Sequence, residues 1–359
     1  MKLLHLTTTL LLAAGAAHAQ YAIVDNDWAT QSYIVPLLIN DANVTILGCT
    51  SVSGDTWMTQ GTQHILRLLE LANLSSTVPV VNGATFPLIN TELRTTAWQQ
   101  NNGIIAWLGA FAAQNLTAQA EGEDPSGGDP FAINDAALVE GIPTTTALNN
   151  TIAAWWMTQQ VRMYPGQVSI YAAGAMTNVA LAIRLDPEFA SLAKELVIMG
   201  GFVDHNAAQI PSYTDADLWS DFNLLFDPEA AHIMLTAPWR NVTIAGNVAN
   251  QQGVTQAFID EMTTAGPNNS FTQLFADYGT AFPMWDETAA AILAYPDIVT
   301  SSYQAFVDVD MGYAGPFYGR LFVWGNSTAP ANTYQVNIVN SINQTMFYSL
   351  VQESLWKTR

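Results

Sequence analysis

Short apolar, β-branched runs that end in small or acidic residues recur along this chain, and most lead into a segment with helical apolar spacing. Ala22-Ile23-Val24 runs into Asp25-Asn26-Asp27, then into a helix-compatible stretch from Tyr33 to Leu38. Val44 to Val52 precedes Trp57 to Leu74, where Ile65, Leu66, Leu68, Leu69 and Leu71 recur at helical spacing. Val78 to Val81 is a third run. Val168 to Tyr171 before Thr177 to Leu185, Leu196 to Met199 before Gly200-Gly201, and Val242 to Ile244 before Gly246 continue the series. Strands covered by helices bury both faces, which demands uninterrupted apolar runs of this kind. The pattern therefore predicts an α/β fold with a largely parallel central sheet and helices on both faces.

The rhythm breaks from about Pro87 to Thr144, where Gly122 to Asp129 is rich in Gly, Asp and Pro; a loop-and-helix insertion is expected there. Beyond Pro296, aromatic and Gly-rich segments such as Val307 to Trp324 suit antiparallel strands or long loops, and a last helix fits Thr345 to Lys357. With no tandem repeat, residues 21–359 read as a single domain carrying an insertion near 87–144.

Residues 1–20 read differently. Met1-Lys2 supplies a positive start, Leu3 to Ala14 a short apolar run, and Ala17-His18-Ala19 before Gln20 a small-x-small cleavage site: a secretory signal peptide, so an extracellular protein is expected. Glycosylation triplets at Asn43, Asn73, Asn115, Asn149, Asn241, Asn268, Asn326 and Asn343 agree, and predict that these positions face solvent. No later stretch is apolar for the length a bilayer requires.

Charge narrows the chemistry. With Lys+Arg 10 against Asp+Glu 30, the net charge of -20 leaves no basic face for nucleic acid or anionic membranes, while 50% apolar residues exclude a disordered polyelectrolyte. A lone cysteine, Cys49, excludes an internal disulfide and a thiolate metal site. After the signal segment only His64, His205 and His232 remain, too scattered for zinc. His64 and His232 read as structural, and His205, in a loop, as a candidate site group. No GxSxG elbow, GxGxxG turn, Walker loop or HExxH helix is present.

The acids fall where such folds bind ligands, beyond the carboxyl ends of the strands. Asp25 and Asp27 end the first run, two residues apart, which turns both carboxylates to one side of an extended chain. Asp55, after Ser53-Gly54, reads equally as a cap of the following helix or as a site acid. Asp227-Pro228-Glu229 is a helix start in itself, whereas Asp215, Asp217, Asp221 and Asn223 lie upstream of that cap. Trp285-Asp286-Glu287 opens an Ala-rich helix, with either acid a dipole partner or a ligand. Carboxylates, amides and rings together suit Ca²⁺ and a sugar bearing a flat leaving group.

These residues resemble the inosine-uridine nucleoside hydrolases, and more closely their secreted fungal-type members. The resemblance runs from Ala22 to about Leu355. It rests on Val24-Asp25-Asn26-Asp27, Gly54-Asp55, Ala173-Gly174-Ala175-Met176-Thr177-Asn178, Val197-Ile198-Met199-Gly200-Gly201, Asp221-Phe222-Asn223 with Asp227-Pro228-Glu229-Ala230-Ala231, and Trp285-Asp286. It implies hydrolysis of the N-glycosidic bond of a ribonucleoside, with Asp27 as Ca²⁺ ligand and general base towards a water held on the metal. Of the family's D-T-D-P-G-x-D-D opening, the last two acids are Gln31 and Ser32 here, at the ribose-binding and metal-binding positions. Ala173 would lend a backbone carbonyl to the metal, and Asp286 would bind both metal and ribose. Asp215, Asp221 and Asn223 would hold sugar oxygens, and Met199 would pack on the ring. Trp285 stands where many members carry a histidine; it, Trp28 and Trp219 are candidates for stacking on the base. The resemblance also implies a homo-oligomer. The changes at 31 and 32 imply a weakened Ca²⁺ site, and an alternative from another class: an extracellular nucleoside- or sugar-binding protein of the same fold with impaired catalysis.

Overall fold

The computed structural model describes residues 20–42, 44–105, 107–121, 127–203, 221–279 and 283–357. The signal segment and the candidates His205, Asp215 and Trp219 lie outside these residues, as does Asn43.

The apolar runs are strands: β1 (Tyr21–Asn26), β2 (Thr45–Ser51), β3 (Val80–Asn82), β4 (Val168–Ala172), β5 (Glu195–Met199) and β6 (Val242–Ala245). Three more follow late in the chain, β7 (Val299–Val309), β8 (Leu321–Trp324) and β9 (Tyr334–Ile342). All join one sheet in the order β3-β2-β1-β4-β5-β6-β9-β7-β8. The pairs from β3 to β9 are parallel, and β7 runs antiparallel to both β9 and β8. The expected parallel sheet thus ends in an antiparallel edge. The strand β9, not singled out in the sequence although Val336, Ile338 and Val339 give it a β-branched pattern, returns to the parallel direction beside β6.

Helices cover the sheet: α1 (Ile34–Asp41), α2 (Met58–Leu71), α3 (Glu92–Asn102), α4 (Leu116–Ala120), α5 (Ala153–Met163), α6 (Thr177–Leu185) and α7 (Phe189–Leu192) in the first half. The second half has α8 (Phe222–Phe226), α9 (Pro228–Leu235), α10 (Asn247–Asn250), α11 (Gln256–Thr264), α12 (Ser270–Tyr278), α13 (Trp285–Ala294) and α14 (Gln344–Trp356). Side chains alternate across the pleat, so β1 feeds two cores. Ala22 and Val24 pack with α1, α2, α13 and α14 on one face, whereas Ile23 packs with α5, α6 and α9 on the other.

Between β3 and α5 the chain carries α3, α4 and loops. A buried pair pins this segment down: His64 Nδ1 on α2 lies 2.6 Å from Glu140 Oε1, and Thr30 Oγ1 donates to Glu140 Oε2. His64 is therefore structural, as expected, and His232 is engaged at 2.7 Å with Asp308.

Candidate active site at the sheet switch point

Chain progression reverses between β1 and β4: β2 and β3 extend the sheet one way, β5 and β6 the other. At such a switch point the connections leave in opposite directions and open a crevice beyond the strand ends. Asp25 pairs with Ala172 in register there, so Asp27 emerges beside Gly174, next to Ala173.

Asp25 does not reach the crevice cluster. It is fully buried, and its Oδ1 accepts hydrogen bonds from Asn178 Nδ2 on α6 and Thr50 Oγ1 on β2. Its Oδ2 has no partner. Burial pushes its pKa up to about 7, against the pull of those two donors. Asp25 thus ties β1, β2 and α6 together beneath the site.

Asp27 is buried at the end of β1. Its Oδ2 accepts the Asp55 backbone N–H at 2.8 Å. That approach requires glycine at 54, where a Cβ would lie 2.0 Å from the same oxygen. Burial, then the carboxylates of Asp55 and Asp286, push the Asp27 pKa well above 3.8.

Asp55 is not the cap of α2. That helix starts after Trp57, and Ser53 Oγ receives the Met58 N–H instead. The Asp55 carboxyl accepts Trp107 Nε1 at 2.8 Å, and burial lifts its pKa to about 6.

Asp221 and Asn223 flank the start of α8. Asp221 turns out to be a cap as well, accepting the Leu224 N–H at 3.2 Å, while burial and the Asp55 charge raise its pKa to about 7. The Met199-Gly200-Gly201 turn makes room for this carboxylate. Gly200 has φ +133°, and a Cβ there would sit 2.7 Å from Asp221 Oδ1. Asn223 Nδ2 donates to the Ala173 carbonyl at 2.8 Å and lies 3.2 Å from both the Met199 carbonyl and its Sδ, drawing β4, β5 and α8 to one point. Asp227 caps α9 ahead of Pro228, as its sequence required, and also accepts Thr177 Oγ1 and the Leu88 N–H.

Asp286 enters at the start of α13. Asn26 Nδ2 donates to its Oδ2 at 3.0 Å, and Tyr171 Oη donates to its carbonyl. Burial, with the Asp55 and Asp221 charges, raises its pKa to about 7. Asp27, Asp55, Asp221 and Asp286 therefore form one electrostatic group, contributed by β1, the loop after β2, the start of α8 and the start of α13.

Other expected residues serve differently. Gln31 and Ser32 lie on a 3₁₀ turn, Thr30–Tyr33; Gln31 is half-buried, and the buried Ser32 accepts the Ala29 N–H through Oγ. Trp28 cannot stack on a ligand: it is fully buried, and its Nε1 donates to the Thr50 carbonyl at 2.8 Å. Trp285 is half-buried against the core of α1, α2, α13 and α14, its Nε1 donating to Asn250 Oδ1 at 2.6 Å. Sequence reasoning missed Asn26 and Trp107, whose partners lie 260 and 52 residues away. Asn26 sits inside the quoted first motif and could have been read there; no local pattern marked Trp107.

Among the described residues, no three His, Cys, Asp or Glu side chains are gathered to hold a metal ion by themselves. The crevice nevertheless offers hard oxygen donors, from Asp27 and Asp286, which interact electrostatically, and from the Ala173 carbonyl. That donor set fits Ca²⁺ by type.

A family profile described as inosine-uridine preferring nucleoside hydrolase matches residues 22–349. An uncharacterized protein of Schizosaccharomyces pombe is 33% identical over 97% of this chain and 88% of its own length. A pyrimidine-specific ribonucleoside hydrolase of Escherichia coli is 30% identical over 59% of this chain and 67% of its own. A plant nucleoside hydrolase structure superposes with TM-score 0.71 at 19% identity, covering 94% of this chain and 99% of that one. A purine-preferring ribonucleoside hydrolase from Gardnerella vaginalis gives TM-score 0.70 at 18% identity, over 94% and 98%.

Proposed function

Because this chain belongs to the inosine-uridine preferring nucleoside hydrolase family, and is thus a hydrolase acting on N-glycosyl bonds, we propose that it cleaves ribonucleosides outside the cell to ribose and free base. The observation that carries the reading is the meeting of Asp27, Asp55, Asp221 and Asp286, from distant parts of the chain, in one electrostatic group at the switch point.

In the proposed reaction the C1′–N bond breaks and its electron pair leaves with the base, which takes up a proton from solvent. C1′ gains oxocarbenium character, and the attacking water adds to it. Asp27 takes the proton of that water as general base. The surrounding carboxylates stabilise the positive sugar by charge, in a buried setting where charge acts strongly. Asp286 and Asn223 hold ribose hydroxyls, Asp221 and Asp215 the other sugar oxygens, and Met199 packs on the ring. Gln31 takes the place of a ribose-binding acid. Ca²⁺ would be held by Asp27, Asp286 and the Ala173 carbonyl, with Ser32 as a neutral fourth oxygen. Bound there, it would supply a fixed positive charge that lowers the pKa of a nearby water. No donor to the departing base is assigned to Trp285, whose indole N–H is already given to Asn250.

Secretion is supported by the described sequon asparagines: Asn73, Asn115, Asn149, Asn241, Asn268, Asn326 and Asn343 are all exposed. The test is a ribonucleoside panel run with Ca²⁺ and with chelator, on wild type and Asp27→Asn. Turnover that the substitution abolishes supports the hydrolase. Tight nucleoside binding with no turnover in the wild type replaces it with the binding-protein alternative.

A further inference from the structure

The segment between β3 and α5 has no part in the chemistry so far, yet residues 107–111 pack on the loop that carries Asp55. Trp107 Nε1 donates to Asp55 Oδ1 at 2.8 Å, and the Ala110 N–H donates to the Gly54 carbonyl at 2.8 Å. Gly109, at φ +50°, lies so close that a Cβ would come within 2.2 Å of that same carbonyl. The Asp55 N–H then reaches Asp27 Oδ2 at 2.8 Å. A short relay thus runs from the insertion to the proposed base.

We propose that Trp107 is a positioning residue: its indole N–H holds the Asp55 carboxyl beside Asp27 and Asp286, and through the Asp55 backbone fixes the Asp27 side chain. Asp55 faces like charges on Asp27, Asp221 and Asp286, so an untethered carboxylate there gains by swinging away. A cationic tether would cancel the negative field that the reaction uses. Indole offers one donor and no acceptor, so it pins the carboxylate and leaves its charge in place. The ring is itself aimed by packing, as one wall of an aromatic cavity shared with Trp98, Ile105, Leu108, Phe222 and Tyr318.

The inference rests on the hydrolase reading for its kinetic readout, and one further measurement does not. Trp107→Phe keeps a ring and removes the N–H; Trp107→Gly leaves a hole beside the aromatic cavity. On a ribonucleoside that the wild type turns over, Trp107→Phe lowers kcat by roughly 10- to 100-fold, the scale of a displaced catalytic group, with little change in KM. Added indole restores kcat to Trp107→Gly, whereas indene, of the same shape without the N–H, does not. Wild-type kcat in Trp107→Phe, or equal rescue by indene, overturns the proposal. Independently of turnover, the indole N–H resonance that Trp107→Phe removes from the NMR spectrum shifts upfield in Asp55→Asn. A resonance indifferent to Asp55→Asn also overturns it. A wild type that cleaves no nucleoside defeats the hydrolase reading, and the resonance then decides whether Trp107 holds Asp55.

Discussion

Replacing Asp25 by asparagine isolates the cost of a carboxylate placed beneath the site with too few partners. The unfolded side chain titrates near 3.8 and the folded one at about 7. At about 1.4 kcal/mol per pH unit, the ionised folded form is disfavoured by roughly 4 kcal/mol. The sign follows from proton uptake: between those two values the folded state binds more protons than the unfolded one, so stability falls as pH rises. The penalty is absent below the unfolded value and complete above about pH 7. The amide introduced by Asp25→Asn keeps an oxygen for the Thr50 and Asn178 donors, and its NH₂ occupies the place of Oδ2, which has no partner. That unpaired donor costs about 1–3 kcal/mol at every pH. The substitution is therefore close to neutral or destabilising near about pH 5, and stabilising by about 1–3 kcal/mol near about pH 8. The cleaner quantity is the change in ΔΔG between the two pH values, roughly 3 kcal/mol, because the constant amide cost cancels. Urea unfolding of both proteins at each pH, on metal-free samples, measures it. A ΔΔG that does not vary with pH refutes the picture of Asp25 as an acid that folding drives towards neutrality.

Gly54→Ala places a Cβ 2.0 Å from Asp27 Oδ2 and so displaces the proposed base; turnover should fall by about 100-fold, and an unchanged kcat would refute the need for this close approach. Added Ca²⁺ should raise Tm near about pH 8, because it binds the folded chain only, and should do so less near about pH 5, where Asp286, with a pKa of about 7, is protonated. Equal shifts by calorimetry at both pH values would argue against Asp286 as a ligand. Glu140→Ala strips His64 and Thr30 of their buried acceptor, and should cost about 3 kcal/mol in urea unfolding; a midpoint within error of wild type would show that this pair does not anchor the insertion.

Much of the frame was legible because it is local. The runs at 22–24, 168–171, 196–199 and 242–244 are strands, and Thr177 to Leu185 is α6 to the residue. Helix α5 and strand β9 went unread. Turn signals do flank them, Pro165-Gly166 after α5 and Gly325 to Asn332 before β9, but exposed Trp155 on α5 and exposed Tyr334 on β9 blur the apolar period of each. At the site, Asp27, Asn223 and Asp286 come from quoted motifs, but their surroundings did not. Asp221 serves at once as a helix cap and as a member of the acidic group, whereas the sequence offers the cap role for Asp55, which does not fill it.

Periodicity and turn chemistry are properties of neighbouring residues, so the order of amino acids alone determined where strands start, which of their ends carry acids, and that the sheet is covered on both sides. Partnership across space is not such a property. Only the folded sheet, whose strand order reverses between β1 and β4, brought Asn26 to Asp286 across 260 residues, and only the packing of residues 107–111 on the loop after β2 brought Trp107 to Asp55 across 52. It also buried Trp28 where a stacking ring was expected. A carboxylate's proton affinity and aim depend on burial and on which charges and donors surround it, and the chain acquires those surroundings only when it closes on itself.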